Sequence, residues 1–246
     1  LALTMSTPET ICSEDTAWVG VTDVFGGLEP YDFAWTGAGA GMGVGFEVSP
    51  DESTEFCVTV TDVCETPAVT GCVEIAIPEP LTPEFEADML SGCFPITVTF
   101  EGLEENTDLI ASALWDFGDG NTSTALGNAV HTYIQEGTWN VSLAVVSTAG
   151  CAFYYDVPAM ISTYDWPYAE FSADPTITAL PDTRFEFENY SLNYATSDWD
   201  FGGLGASTDT NPTYTFPDNQ SGEYTVTLVV SNPWGCADTV SHSVLV

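Results

Sequence analysis

One pattern recurs in this chain and limits what it can fold into. Residues 115–120 read WDFGDG and residues 199–204 read WDFGGL. Each is followed by a strictly alternating run and then a Gly-Cys pair. In the first run the apolar residues are Trp139, Val141, Leu143 and Val145; in the second they are Tyr224, Val226, Leu228 and Val230. The matched positions Trp139/Tyr224, Val141/Val226, Leu143/Leu228 and Cys151/Cys236 stand 85 residues apart. Period two is the signature of a strand with one buried face. A repeat of this length is the size of an immunoglobulin-like sandwich.

A looser copy opens the chain, with PYDFAW at 30–35 and FCVTVTDVC at 56–64. The expected division is 1–79, 80–163 and 164–246, with joints at IPEPLTPEFEA (77–87) and ISTYDWPYAEF (161–171). Both joints mix prolines and acids, as semi-extended linkers do. No segment shows a helical period. The fold class expected is all-β: three tandem Ig-like β-sandwiches.

Charge narrows the function. The chain has 37 acids against a single Lys or Arg, Arg184, for a net charge of −36. Such a surface repels nucleic acid and anionic lipid. No run of 18 apolar residues occurs, so no membrane insertion is expected. Residues 1–10 lack the basic and apolar regions of an intact signal peptide, so the chain reads as a mature protein or a piece of a longer one. Salt bridges cannot hold this chain together, which leaves its carboxylates to be screened by salt or by divalent cations such as calcium.

Seven cysteines without a CxxC pair argue against zinc and for disulfides, hence an exported protein. Cys93 lies 22 residues before Trp115 and Cys12 lies 23 before Trp35; Cys151 and Cys64 each follow an alternating strand. This matched placement predicts the pairs Cys93–Cys151 and Cys12–Cys64. Cys57 and Cys72 both face outward on adjacent strands of one hairpin turning at ETPAVTG (65–71), which predicts a cross-strand pair. A buried Cys12–Cys57 bridge, as in antibody domains, is the alternative. Cys236 is left over, as a free thiol or as a link to another chain.

WDFGDG, then HTY at 131–133, an alternating strand and GC, together resemble the PKD domain, an Ig-like sandwich. SGCFPITVTF at 91–100, ahead of the tryptophan, is similar to arrays in type IX-secreted surface proteins of gliding bacteria. The resemblance covers the second and third copies well and the first loosely. It implies an extracellular, bacterial cell-surface location. It also implies O-glycosylation at Asp-Ser/Thr-apolar sites, which Thr16 and Thr239 fit. It says little of function, because PKD domains occur in adhesins, proteases and polysaccharide hydrolases.

Within WDFGDG, the expectation is that Trp115 and Phe117 point into the core and that GDG forms a turn. The chemical alternative is a calcium site from the hard oxygens of Asp116, Asp119 and Asn121. Glu79, Glu84, Glu86, Asp165 and Glu170 are further candidates for calcium bridging at the joints. His131 reads as structural, and His242 has no catalytic partner in sight. The Gly-rich stretch 37–45 lacks the Lys and helix of a phosphate loop and reads as a flexible hairpin or a close backbone packing surface. Trp166, Tyr168, Trp234, Tyr154 and Tyr155 could stack on sugars, although linker or core packing suits them better. No motif requires a cofactor or supplies catalytic residues.

The function expected is a non-enzymatic stalk, spacer or adhesive array, with surface polysaccharide or neighbouring copies as partners. Two alternatives are a carbohydrate-binding accessory region of a secreted hydrolase and a subunit of an extracellular filament.

Overall fold

The computed structural model describes residues 1–37, 41, 43–64, 66–102 and 107–246. The Gly-rich stretch therefore falls partly outside the described residues, at 38–40 and 42, as does Glu65 of the ETPAVTG turn. Strands dominate; among the described residues the one helical element is a 3-10 turn, Thr107–Leu109.

Three separate buried clusters span residues 17–75, 85–161 and 169–246, and a pair of sheets encloses each. In the first module, Ala2–Met5, Ala17–Phe25 and Gly45–Val48 face a sheet ordered Glu9–Thr10, Val69–Ala76, Thr54–Asp62 and Tyr31–Thr36. In the second, Ala129–Tyr133, Ile96–Gly102 and Phe85–Ala87 face Thr122–Ser123, Ile110–Asp116, Gly137–Ser147, Ala152–Tyr164 and Ser91–Cys93. In the third, Phe171–Asp174, Arg184–Asn189 and Thr213–Thr215 face Ala206–Ser207, Thr196–Phe201, Glu223–Ser231 and Ala237–Leu245.

The alternating runs supply the cores. Val141, Leu143 and Val145 are buried in the second module, and Val226, Leu228 and Val230 in the third. Each core centres on the repeated tryptophan, whose indole N–H would be an unmet donor without a partner. Trp35 Nε1 donates to Gly43 O (2.8 Å), Trp115 Nε1 to Ala125 O (3.1 Å) and Trp199 Nε1 to Asp209 O (2.9 Å). In all three modules the acceptor lies eight or ten residues beyond the indole, so one geometry recurs three times.

A second repeated feature positions the joints. Early in each module the chain runs parallel beside the end of that module's last strand. Thr10 pairs with Ala76, Cys93 with Tyr164, and Ile177 with Leu245. The entry segment of each module thus lies next to its exit.

Candidate functional site

The WDFGDG turn is built as a turn. Trp115 and Phe117 are buried, and Gly118 and Gly120 take φ of 81° and 90°, the left-handed region that glycine enters freely. Asp116 Oδ1 accepts from the Gly118 N–H (2.9 Å). Asp119 Oδ1 accepts from the Asn121 N–H (3.0 Å), and its Oδ2 accepts from Asn121 Nδ2 (3.0 Å). That same Oδ2 lies 2.7 Å from His131 Nε2. A carboxylate only accepts, so Nε2 carries the proton. The His131 ring stacks on Phe117 at 4.3 Å and 3°, which fixes its orientation.

Asp116, Asp119 and Asn121, the candidate calcium ligands, are thus held together by hydrogen bonds within the turn. Both Asp119 oxygens are engaged with neighbouring donors, and Asn121 presents its NH2 rather than its oxygen to them. A hard cation needs six to eight oxygens converging on one point. Among the described residues the one compact metal-type cluster is Glu55, Cys57 and Cys72, and two of its three members are disulfide sulfurs. The third module repeats the turn without the pair: Asp200 Oδ1 accepts from the Gly203 N–H (2.8 Å), and Gly203 replaces the second carboxylate. Likewise at the second joint, Asp165 already accepts from Trp166 N and Asn193 Nδ2, and Glu170 from His242 Nε2 and the Phe171 N–H.

The Asp119–His131 contact has an electrostatic consequence. Burial works against the Asp119 carboxylate, but the hydrogen bonds from His131 and Asn121 outweigh it and hold the group below the ordinary carboxylate value. A lowered folded-state pKa contributes stability that is present above the unfolded value and lost as pH falls through the folded one. Asp119→Asn is therefore expected to destabilise the second module by about 1–2 kcal/mol at neutral pH. It should also flatten that module's loss of stability below about pH 4. Urea unfolding across pH 3 to 7 measures both effects, and an unchanged acid limb would contradict this role.

The cysteines depart from the expected pairs. Cys57 and Cys72 stand directly opposite in the hairpin register and are bonded. The other two bonds run between modules: Cys12 joins Cys151, and Cys93 joins Cys236. Cys236 is thus bonded and buried, whereas Cys64 is the free, exposed cysteine. Pairing within the modules fails on distance. Cys93 lies beside Tyr164, and Cys151 immediately precedes Ala152, so they sit at opposite ends of a 13-residue strand, about 40 Å apart at the rise of an extended chain. Cys12 and Cys64 flank opposite ends of Val69–Ala76 in the same way. Disulfide Cα atoms must approach to within about 7 Å.

The joints are further packed. At the second, Trp166 Nε1 donates to Phe94 O (2.6 Å), Asn232 Nδ2 donates to Asp165 O (2.9 Å), and Trp234 stacks on Tyr164 at 4.4 Å and 8°. At the first, Ile77, Pro78 and Phe153 border the Cys12–Cys151 bond. Two of the aromatics considered for sugars, Trp166 and Trp234, are therefore joint residues, and Tyr155 packs on Phe85 (5.4 Å). Tyr154 and Tyr168 remain exposed, Tyr154 at the outer end of a cross-strand row with Leu114 and Ala144. Thr16 and Thr239 are both exposed. His131 and His242 each partner a carboxylate.

Nothing local to either residue announces that His131 meets Asp119, since twelve residues and a strand switch separate them.

Comparison with known proteins gives partial matches. Collagenase ColQ1 of Bacillus cereus (strain Q1) is 46% identical over 50 residues, 20% of this chain and 5% of that protein. Microbial collagenase of Vibrio alginolyticus is 44% identical over 55 residues, 22% of this chain and 7% of that protein. The chain thus spans less than a tenth of the length of these relatives. Among solved structures, the PKD1 domain of the Vibrio cholerae metalloprotease PrtV is 28% identical over 33% of this chain and 96% of that one, with a TM-score of 0.28. The PKD domain family itself matches residues 83–157 and 164–246, well over half of the sequence, and the chain belongs to that family.

Proposed function

We propose that the chain is a non-catalytic extracellular spacer: a stiff stalk of PKD modules that sets the distance and orientation of whatever it carries. The observation that carries this reading is the pair of disulfides, Cys12–Cys151 and Cys93–Cys236, each tying one module to the next. A flexible array needs no covalent bond across its joints. Three disulfides also suit an oxidising, extracellular setting. The net charge of −36 keeps such a stalk hydrated and apart from its copies. In this reading calcium acts by screening the acidic surface.

The collagenase matches favour one host, a secreted hydrolase in which the array holds the enzyme away from its anchor. A bacterial cell-surface adhesin would use the same stiffness.

Small-angle scattering before and after reduction with a phosphine tests the proposal. The oxidised chain is expected to give one sharp maximum dimension. The reduced chain should give a broadened distance distribution and the scattering of modules moving on linkers. An identical profile in both states would overturn the stapled-stalk reading.

A further inference from the structure

The outward face of one hairpin in the first module gathers four groups with metal-binding chemistry. Thr54–Asp62 and Val69–Ala76 run antiparallel, with Glu55 opposite Glu74 and Cys57 opposite Cys72. Successive side chains of a strand point to opposite faces, so all four of these residues share one face of the sheet. The alternate positions Phe56, Val58, Val73 and Ile75 are buried in the core. A carboxylate oxygen of Glu55 and the sulfurs of Cys57 and Cys72 lie within 4.8 Å of one another. Glu55, Cys72 and Glu74 are exposed and Cys57 is half-buried, so solvent reaches the set.

Two observations single this hairpin out. Like charges directly opposite on a sheet repel, and the one strongly basic side chain of the protein, Arg184, pairs with Glu186 in the third module. No Lys or Arg therefore offsets Glu55 against Glu74. Among the described residues, moreover, this is the only disulfide with a third ligand group in such reach. Thiolate sulfur together with carboxylate oxygen suits a borderline-soft divalent ion such as zinc. Its bonds of about 2.3 Å to sulfur and about 2.0–2.2 Å to oxygen put neighbouring tetrahedral ligands roughly 3.5 Å apart. Small side-chain rotations reach that spacing. The core residues behind both strands keep the four positions in register when the sulfur–sulfur bond is open.

We propose that Cys57 and Cys72, when reduced, form with Glu55 and Glu74 a two-thiolate, two-carboxylate site for a thiophilic divalent cation such as zinc. The hairpin is then closed either by the disulfide or by the metal. The proposal is independent of the stalk reading and of the joint disulfides. Exported chains are made in a reducing cytosol, where thiols persist, and the site exists in the reduced form alone. Reduction breaks the sulfur–sulfur bond. The two electrons and two protons come from two small-molecule thiols, which leave as a disulfide. Metal binding then releases the two thiol protons to solvent, with no change in any oxidation state.

Cobalt(II) and zinc test this on the full chain, because tetrahedral cobalt thiolates absorb in the visible and zinc displaces the cobalt. The chain is reduced with a phosphine, freed of it without air, and titrated with excess calcium present to occupy scattered carboxylates. Salt at about 1 M, where the Debye length is about 3 Å, screens the acidic surface. The expected result is a thiolate–cobalt band in the reduced chain and none in the oxidised chain. Alkylation followed by peptide mass mapping reads the site: zinc should shield Cys57 and Cys72 at least about tenfold more than Cys64 and the joint cysteines. Glu55→Gln with Glu74→Gln keeps both cysteines and should weaken cobalt binding by at least about tenfold, since even outer-shell partners of a metal are worth about 10–100-fold. The band should vanish in C57S/C72S. Hydrogen exchange at Phe56 and Val73 reports the scaffold, which should be folded in the metal-bound reduced chain. An equal band in the oxidised chain or in C57S/C72S, equal shielding of every cysteine, unchanged affinity in E55Q/E74Q, or a metal-loaded first module without protection at Phe56 and Val73 would overturn the proposal.

Discussion

Serine at both Cys93 and Cys236 is expected to lower the stability of the third module by about 4 kcal/mol while leaving the first unchanged. The bond joins positions 143 residues apart, but that separation is not the loop it closes when the third module unfolds alone. Cys93 lies directly beside Tyr164, the last residue of the second module's final strand. With the second module folded, the unfolded third module is pinned at Tyr164 and, through the disulfide, at the neighbouring Cys93. The free loop is then about 70 residues, for which the chain-entropy relation gives about 4 kcal/mol. The same argument applies at the first joint, where Cys12 lies just past the Thr10–Ala76 pair and tethers the second module. The first module has its own bond, Cys57–Cys72, closing a 15-residue separation worth about 3 kcal/mol in the same relation. Each module thus has one disulfide acting on its unfolded state, although two of the three lie between modules. Peptide-resolved hydrogen exchange in denaturant measures the effect. Unchanged protection of the peptides holding Phe185, Trp199 and Leu228 would show that the bond orients the modules without stabilising them.

What the sequence disclosed and what it withheld follow from the range of each interaction. The cores were legible because Val141, Leu143 and Val145, and their counterparts Val226, Leu228 and Val230, alternate within one strand, and period two is a local property. The hairpin geometry of Cys57 and Cys72 was legible for the same reason: both alternate outward on neighbouring strands. The two joint bonds were not. Equal spacing from each tryptophan located Cys93 and Cys12 within their modules, but spacing carries no sign of which end of a sandwich a residue occupies. Only the parallel pairing of the entry segment with the last strand puts Cys93 at the exit and leaves Cys151 at the far end. The acidic turn was legible in composition but not in contacts. Asp116, Asp119 and Asn121 have the composition of a cation loop, yet φ near +80° to +90° at Gly118 and Gly120 turns the backbone N–H groups toward the carboxylates.

Trp115→Ala is expected to remove about 3–5 kcal/mol from the second module, the usual range for deleting a large aromatic from a core. Trp115 is fully buried, with ring neighbours Phe85 at 5.0 Å and Phe100 at 6.0 Å. Its loss also leaves the Ala125 carbonyl without its indole donor, and the cavity sits at the centre of the cluster, where two sheets limit collapse. A sandwich of about 80 residues holds roughly 4–12 kcal/mol in total, so this single change takes a large share of it. The three cores share no buried residue, so the loss should stay within one module. Calorimetry should show the second module's transition moving far down in temperature while the other two hold. Trp234→Ala is the control: the ring is 58% exposed at the joint, and its removal should leave every module's melting within the range of about 0.5 kcal/mol common to surface changes. A cooperative shift of all three transitions in Trp115→Ala would mean that the disulfides have fused the modules into one folding unit. The stalk would then be a single domain whose joints are as much its core as the tryptophans are.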